Sequence, residues 1–512
     1  MVMTLILCKF NSFYKLSRVL MKNALNLILF ACFLLLFGGC TNSDPSEKPL
    51  NIVILTLDDM GYKTTGAEGC TVPGITPNID KLASQGMMIT HGYVMSPICR
   101  PSRMALLTGR YPHCNGVMGH GEQPPPQWQE PDVKTPSLTK YLKDRGYYTG
   151  AIFKHGREKD HVWDIQYQEF PNGVGYHDRN PDSFYKRAKS FLSRVNELGK
   201  PFFLYANPID PHRPWVDTEE EKRELIMYNP DNRYPEPTRK YTPEEVQVPD
   251  FLPDLPEIRK NLVPYYESLH RGDECIGAIL QALDESGQRN NTLVFFLSDN
   301  GMGAPGAKAT LFHHGLRTPI IIRWPGEVEE GIVNENVLVS TIDIVPTLLD
   351  AIGASPIEGI EGQSFIDLLR GKEKDKHREY VYAAQNYFIK PVEKDFYPHR
   401  AIIDMDYCYI WNSYVLQPNG NRKYPNYWLD VVESSLDGSH PELSEKINNI
   451  LYKPVEELYD LSVDPGCWNN LAKSSGNKAI LDIYRDRLFK EMEDTKDPEL
   501  EVFMGFRKDN VQ

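Results

Sequence analysis

The feature that most constrains the fold is a run of largely apolar residues, 51–57, that ends directly in Asp58 and Asp59. An unbroken run of this kind is typical of a strand that is buried on both faces of a parallel sheet. Similar runs recur and alternate with segments of helical pattern, which predicts an α/β domain with helices on both faces of the sheet. In such domains ligands bind beyond the carboxyl ends of the strands, so the polar residues that follow each run are the first candidates for a functional site.

The predicted elements rest on caps and breakers as well as on periodicity. Pro77 suits the first helical position after Thr76, and Gly86 suits the end of the same helix. The predicted helices cover residues 76–86, 135–146, 181–198, 262–283 and 343–352, and the predicted strands cover residues 51–57, 148–153, 202–206, 292–297 and 319–324.

Two later stretches differ from this pattern. Residues 216–260 are rich in Pro, Glu and Asp without clear periodicity, and they predict a long surface loop. Beyond about residue 371 the pattern changes to shorter strand-like pieces such as residues 379–383. We therefore predict a main domain over residues 50–371 and a smaller C-terminal α+β subdomain with an antiparallel sheet over residues 372–512.

The N-terminal segment, residues 1–40, has the anatomy of an export signal. A short cationic start at Met21-Lys22 precedes an apolar run, residues 25–37, that is short for a membrane span. Gly38-Gly39-Cys40 then supplies small residues and a cysteine, as in a bacterial lipoprotein signal that is cleaved before a lipidated Cys40. We predict a chain that starts at Met21, is exported and is anchored by lipid in the periplasm or on the outer membrane or cell surface of a bacterium, with residues 41–49 as a tether. A plain secretory peptide and an N-terminal anchor helix are the alternatives.

Charge and cysteine usage exclude some functions. The formal net charge of −14 argues against nucleic acid as a partner, because the phosphate backbone selects basic surfaces. Of the nine cysteines, three (Cys8, Cys32 and Cys40) belong to the N-terminal segment. None of the others has CxxC spacing, which argues against a zinc cluster. If Cys99 is consumed by modification, an odd number of cysteines remains, so at least one free thiol is expected.

The densest motif is Cys99-Arg-Pro-Ser-Arg103, followed by Leu106-Leu-Thr-Gly109. Pro101 suits a first helical turn and Gly109 a helix end, so Cys99 is predicted at a helix N-terminus, where unpaired amides and the helix dipole favour an anion. A buried structural cysteine is the simpler alternative for Cys99 alone. The full string, however, resembles the signature of the formylglycine-dependent sulfatases, and the resemblance extends over residues 50–475.

This resemblance implies an alkaline-phosphatase-like fold, with a large, mostly parallel mixed sheet flanked by helices, and a specific chemistry at Cys99. In that family a sulfatase-maturing, formylglycine-generating enzyme oxidises the cysteine to an aldehyde, which adds water to form a geminal diol. One hydroxyl attacks sulfur and releases the alcohol or amine, and the second then expels sulfate. The chain would thus be a sulfatase acting on a sulfated glycan, and residues 50–371 would be its catalytic domain.

The resemblance also implies a calcium site. Asp58, Asp59, Asp299 and Asn300 follow two predicted strands and match the family's ligands, with the oxygen derived from Cys99 completing the set. Oxygen ligands favour calcium or magnesium over zinc. Each pair alone is equally typical of a turn.

Basic residues of the predicted site come from three further segments. Lys154 and His155 follow the strand 148–153 and resemble the family's lysine and histidine, but His155 is one residue closer than usual, and His161 is an alternative. His212, in Asp-Pro-His-Arg, matches the histidine that protonates the leaving group. Lys308 matches a sulfate-binding lysine, and with Arg103 and Lys154 it would form a local cationic pocket in an acidic protein.

Three stretches, residues 113–120, 210–213 and 263–266, resemble heparan N-sulfatases (sulfamidases) within the family. N-sulfoglucosamine or a related heparan unit is therefore the expected substrate. An O-sulfatase on glycosaminoglycan or mucin sugars, a phosphatase-superfamily relative and an inactive glycan-binding protein are the alternatives. Candidate substrate contacts, for each of which a structural role is equally open, are His113, His120, His313, His314 and Arg317.

Overall fold

The run predicted from the sequence forms a central strand, Asn51–Leu57, of an eight-stranded sheet in the computed structural model of the protein. All seven of its residues are buried, as expected for a strand covered on both faces. The structure describes residues 48–120, 137–154, 163–167, 178–228, 234–387, 396–416, 448–449 and 452–510.

The first sheet has the strand order β4-β3-β5-β1-β6-β7-β2-β8. Strand β1 is parallel to β5 and to β6, β3 is parallel to β4 and β5, and β2 is parallel to β8. Strand β7 is antiparallel to both of its neighbours, so the sheet is mixed and mostly parallel. Its strands are β1 (Asn51–Leu57), β2 (Met87–Tyr93), β3 (Tyr148–Ile152), β4 (Ile165–Tyr167), β5 (Phe202–Ala206), β6 (Thr292–Ser298), β7 (Arg317–Arg323) and β8 (Ile332–Ser340).

Helices cover both faces of this sheet, and the two faces of β1 contribute to different cores. Val53 and Leu55 pack into a core with Phe191, whereas Ile52 and Ile54 pack into the opposite core with Leu107. This division follows from the period of two in a strand. The helices of the described residues are α1 (Pro77–Ser84), α2 (Cys99–Thr108), α3 (Pro112–Asn115), α4 (Leu138–Asp144), α5 (Pro181–Leu198), α6 (Glu219–Tyr228), α7 (Pro256–Glu285), α8 (His313–Leu316), α9 (Ile344–Ala351), α10 (Ile366–Leu369), α11 (Lys478–Asp494) and α12 (Leu500–Asn510).

A second, four-stranded antiparallel sheet has the order β12-β11-β10-β9. Its core includes Trp411 and Phe503, and it also includes Tyr93 and Leu316 from the first sheet and α8. One apolar core therefore contains residues of both sheets, and the described residues from Pro49 onward belong to one compact unit. Its strands are β9 (Val381–Tyr387), β10 (Phe396–Ile403), β11 (Tyr407–Trp411) and β12 (Glu456–Asp460).

The α/β architecture with a second antiparallel sheet is confirmed, but several local expectations were wrong. Residues 216–260 are not one loop, because α6 forms within them and α7 begins at Pro256, a residue that suits a first helical turn. The helix expected from residue 135 begins at Leu138. Strands β2 and β8 were not predicted. In β2, His91 and Gly92 interrupt the apolar pattern, and in β8 the N-terminal half of the strand is partly exposed.

Both the N-terminal segment with Cys40 and residues His155 and His161 lie outside the described residues. No helix among the described residues combines the length and the apolar character that crossing a bilayer requires. Cys70, Cys99, Cys114, Cys275 and Cys408 are free thiols, in line with the expected unpaired thiol.

Candidate active site

Four oxygen-bearing side chains meet at the carboxyl ends of β1 and β6. The register of the two parallel strands places Leu57 opposite Ser298, so Asp58 and Asp299 leave the sheet side by side. The backbone N–H of Asp59 donates to Asp299 Oδ1 at 3.2 Å, and Asn300 Nδ2 donates to Asp59 Oδ1 at 2.8 Å. All four side chains are buried.

The donor set suits a hard divalent cation. Asp58 Oδ1 and Asn300 Oδ1 are buried and have no hydrogen-bond partner among the described residues. Buried oxygens without partners are costly, and an ion that accepts their lone pairs removes that cost. Carboxylate and amide oxygens are ligands for calcium or magnesium, so the residues present fit the metal that the sequence predicts.

Cys99 is the first residue of α2, as predicted, and it lies beside these oxygens. Its Sγ and one oxygen each of Asp58 and Asp299 are all within 4.8 Å of one another. The preceding residue, Ile98, provides no side-chain cap for the helix. The first amides of α2 therefore lack a side-chain cap, and an uncapped helix N-terminus favours a negatively charged group.

Arg103, one turn further along α2, is engaged with the carboxylates. Its Nε donates to Asp299 Oδ2 at 2.8 Å and its NH2 donates to Asp58 Oδ2 at 3.0 Å. Its NH1 donates to Thr56 Oγ1 at 2.6 Å and to the Tyr205 hydroxyl at 3.0 Å. The Arg103 guanidinium thus offsets the charge of two buried carboxylates and fixes their orientation.

Two lysines and a histidine stand on the more open side. Lys154 Nζ is 2.5 Å from Asp58 Oδ2, and Lys308 Nζ is 2.5 Å from Asp59 Oδ1. His212 Nε2 is 4.0 Å from Asp59 Oδ2, and its other nitrogen, Nδ1, lies 2.5 Å from the Arg213 carbonyl oxygen. Because a carbonyl oxygen can only accept, Nδ1 carries the proton in that bond and Nε2 faces the carboxylates.

These charges shift the pKa values of the site. Burial alone would raise the pKa of Asp58, but the positive charges of Lys154, Arg103 and Lys308 hold it well below its ordinary value. Burial lowers the pKa of His212 well below its ordinary value, and Lys154 and Lys308 lower it further. The site therefore holds an ionised Asp58 beside a neutral imidazole.

Of the predicted substrate contacts, His120 lies nearest to the centre. Its Nε2 is 3.6 Å from Cys99 Sγ, and its carbonyl oxygen accepts from Arg100 NH1 at 2.9 Å. His113 instead stacks on Tyr111 and has Nδ1 3.6 Å from Asp497 Oδ2.

The remaining predicted substrate contacts are His313, His314 and Arg317. His313 and His314 are each 1% exposed within α8. Arg317 donates from Nε to the Thr90 carbonyl oxygen at 2.8 Å. These contacts are with other protein groups, and a role toward substrate stays a prediction for all three.

Supporting residues of the site escaped the sequence analysis. Thr56 holds Arg103 and also donates from Oγ1 to Asn207 Oδ1 at 2.6 Å, while Asp210 forms buried ion pairs with Arg179 and Arg271. Asn207 directly follows β5, and polar residues at such strand ends were the available signal. No such sequence signal marked Arg179 and Arg271, since each lies on a helix or loop that is far in sequence from the Cys99–Arg103 motif.

Comparisons with known proteins show similarity to sulfatases. The family model described as "Sulfatase" matches residues 50–354, and the model "N-sulphoglucosamine sulphohydrolase, C-terminal" matches residues 307–419. The chain is 29% identical to human N-sulphoglucosamine sulphohydrolase over 491 residues, which cover 91% of this chain and 94% of that protein. It is also 29% identical over 449 residues to an ulvan-active sulfatase of Formosa agariphila, covering 84% of this chain and 72% of that one.

A solved structure with the same fold is that of BT4656 in complex with D-glucosamine-2-N,6-O-disulfate. The two share a TM-score of 0.61 and 19% identity, over 88% of this chain and 99% of that chain. At this identity the likeness concerns the fold.

Proposed function

Because the chain belongs to the sulfatase family, we propose that it hydrolyses the sulfate group of N-sulfated glucosamine units in a heparan-type glycosaminoglycan. The observation that supports this most directly is the convergence of Cys99, Asp58 and Asp299 within 4.8 Å, at a helix N-terminus. Similarity to N-sulphoglucosamine sulphohydrolase over 91% of the chain supports the choice of sugar.

In this proposal Cys99 is converted to formylglycine by a maturing enzyme, and its hydrate supplies the nucleophile for sulfur. The N-terminal amides of α2 favour negative charge at this position, and Asp58 and Asp299 lie beside it at the strand ends.

Asp58, Asp59, Asp299 and Asn300 would hold one calcium ion, which supplies Lewis-acid polarisation of a sulfate oxygen when bound. Arg103 orients two of these carboxylates, Asp58 and Asp299. Its buried hydrogen bonds to Thr56 and Tyr205 fix the guanidinium plane, so the carboxylates retain their positions.

Lys154 and Lys308 would bind the sulfate oxygens and balance the charge that develops on them. Both ammonium groups lie at 2.5 Å from a carboxylate of the site, with part of each side chain exposed, so they border the opening. His212 would act through Nε2, which takes up a proton and delivers it to the leaving nitrogen or oxygen, while its Nδ1 stays bound to the Arg213 carbonyl oxygen.

We further propose that the chain is exported and anchored through lipid on Cys40, consistent with the signal anatomy of residues 1–40. Residues 50–371 and 372–512 would be the catalytic domain and the C-terminal subdomain. The shared core of the two sheets supports a C-terminal part that is packed firmly onto the catalytic part.

The experiment that tests the substrate compares sulfate release from N-sulfoglucosamine and from glucosamine 6-O-sulfate by the matured enzyme. We expect release from the N-sulfated sugar. Release only from the O-sulfated sugar would replace the sulfamidase proposal with an O-sulfatase, and the Cys99→Ala protein, prepared in the same way, is the control for contaminating activity.

A further inference from the structure

A second group of potential metal ligands lies apart from the oxygen ligands of the active site. His313, His314 and Cys467 each offer one ligand atom, and these atoms all lie within 4.8 Å of one another. All three residues are buried, at 1%, 1% and 3% exposure. We propose that they form a zinc site that joins the catalytic part of the chain to the segment that follows β12.

The tautomer of His313 prepares one nitrogen for a metal. Its Nε2 lies 2.5 Å from the carbonyl oxygen of Pro465, and since that oxygen can only accept, Nε2 carries the proton. Nδ1 is then left with a lone pair. It is buried and has no hydrogen-bond partner among the described residues. A metal-bound histidine is commonly oriented in this way, by a carbonyl that accepts from its other ring nitrogen.

The surroundings of the cluster are aromatic and hold the imidazole rings in place. The His314 ring stacks on Phe251 with centroids 4.3 Å apart and lies 5.3 Å from the ring of Phe312. Tyr62 meets the His313 ring edge-on at 5.1 Å. An apolar shell of this kind limits access of water and keeps the ligands from reorienting, so the cost of assembling the site is already met by folding.

The chemistry of the ligands selects the ion. Two imidazole nitrogens and one sulfur suit zinc, whereas calcium takes oxygen ligands, so this cluster and the carboxylates of the active site would bind different metals.

Such an ion would link two parts of the chain that are far apart in sequence. Helix α8 is joined to the active-site loop because the Gly301 N–H donates to the Gly315 carbonyl oxygen at 2.9 Å. Cys467 lies in the turn after β12, where its N–H donates to the Asp464 carbonyl oxygen at 3.0 Å. Zinc would therefore stabilise the position of the loop that contains Asp299 and Asn300 without taking part in turnover.

The test is zinc binding by the full-length protein, with Cys467→Ser as the variant and Cys408→Ser as its matched control. Cys408 is a buried cysteine of β11 whose Sγ contacts the Leu311 carbonyl oxygen and that is not part of the cluster. All three proteins are made in a Cys99→Ser background, which removes the buried thiol that lies within 4.8 Å of carboxylate oxygens of the active site. Calcium is kept saturating, so that zinc does not compete for the oxygen ligands.

The Cys99→Ser protein without a further substitution is called the host. We expect the host and its Cys408→Ser variant to retain one equivalent of zinc after dialysis. The Cys467→Ser variant should bind zinc at least tenfold more weakly. Cobalt titration of the folded host should give a thiolate-to-cobalt charge-transfer band that zinc displaces. Absence of this band from the host overturns the proposal even if Cys467→Ser does not fold, and a band that persists in Cys467→Ser overturns it as well. These readouts are independent of turnover, so they stand whether or not the proposed substrate is correct.

Discussion

Arg103 donates hydrogen bonds to both Asp58 and Asp299, at 3.0 and 2.8 Å, from a guanidinium that is only 5% exposed. One cation on the helix that begins with Cys99 thus fixes the two strand ends on which the predicted metal site depends. Buried charge of this kind is tolerated only when each partner is present, because a carboxylate left alone in the interior is strongly unfavourable.

Replacing Arg103 by Met should therefore destabilise the metal-free protein by about 3–5 kcal/mol, since two buried carboxylates lose their counter-charge. Added calcium should recover part of that loss, because the cation offsets the same charges. Urea unfolding with and without calcium measures both effects. Arg110→Met is the control, since the pair of Arg110 with Glu361 is partly exposed and should be worth about 1 kcal/mol or less. Equal losses in the two variants, or no response of Arg103→Met to calcium, would contradict this interpretation.

Replacing Cys99 by Ala should abolish turnover, with a fall of about a thousandfold or more, because the nucleophile is lost. The fold should persist, since the substitution removes one sulfur atom at the edge of the core. Activity and circular dichroism are compared with those of Cys275→Ala, which removes a buried thiol from α7. Mass spectrometry of the Cys99 peptide from active enzyme should show aldehyde in place of thiol, and unmodified cysteine in fully active enzyme would refute the mechanism.

Removal of metal should inactivate the enzyme reversibly. A calcium chelator should suppress sulfate release, and calcium should restore it, because four oxygen ligands converge beside residue 99. The calcium concentration for half-maximal activity should rise about tenfold or more in the Asp299→Asn variant, since one negative charge of the site is lost. Asp144→Asn is the control, because Asp144 forms an exposed pair with Lys140. Full activity in the presence of chelator would rule out the predicted cofactor.

Stability should depend on pH through Asp343, which joins the two parts of the chain. Its carboxylate accepts from Arg378 Nε at 2.7 Å and from His377 Nε2 at 2.8 Å. Burial alone would raise the pKa of Asp343, but Arg378 and His377 lower it to about 2 from an ordinary value of 3.8. The folded protein thus binds this proton less readily than the unfolded chain, so the contribution is present above pH 3.8 and is lost as the pH falls toward 2.

This shift corresponds to about 2 kcal/mol of stability at neutral pH. In Asp343→Asn the free energy of unfolding should therefore be lower at neutral pH and should vary less with pH between 4 and 2 than in the parent. Urea unfolding across this range provides the measurement. Asp367→Asn, at an exposed pair with Lys372, should follow the parent curve. If the free energy of unfolding of Asp343→Asn were lower than that of the parent by the same amount at every pH, the charge of Asp343 would not be the source of the pH dependence.

Local patterns were sufficient wherever a residue and its signal lie in the same segment. The apolar runs that end in Asp58-Asp59 and in Asp299-Asn300 predicted buried parallel strands, and β1 and β6 have that form. The helix start at Cys99 also followed from Pro101. Strands β2 and β8 were missed because a partly polar strand is recognisable only when its neighbour in the sheet is known.

By itself the sequence determined the class of fold, the strand ends that carry Asp58 and Asp299 and the helix that begins with Cys99, because each of these depends on short-range periodicity and capping. Only the tertiary structure decided that Arg103 binds Asp58 and Asp299 and that Cys467 lies beside His313 and His314. The spacing of cysteines argued against a zinc cluster, but spacing along the chain cannot report on residues such as His313 and Cys467, which come together from segments about 150 residues apart. Contacts of that range follow from strand register and from the packing of the two sheets on one core, neither of which any single segment encodes.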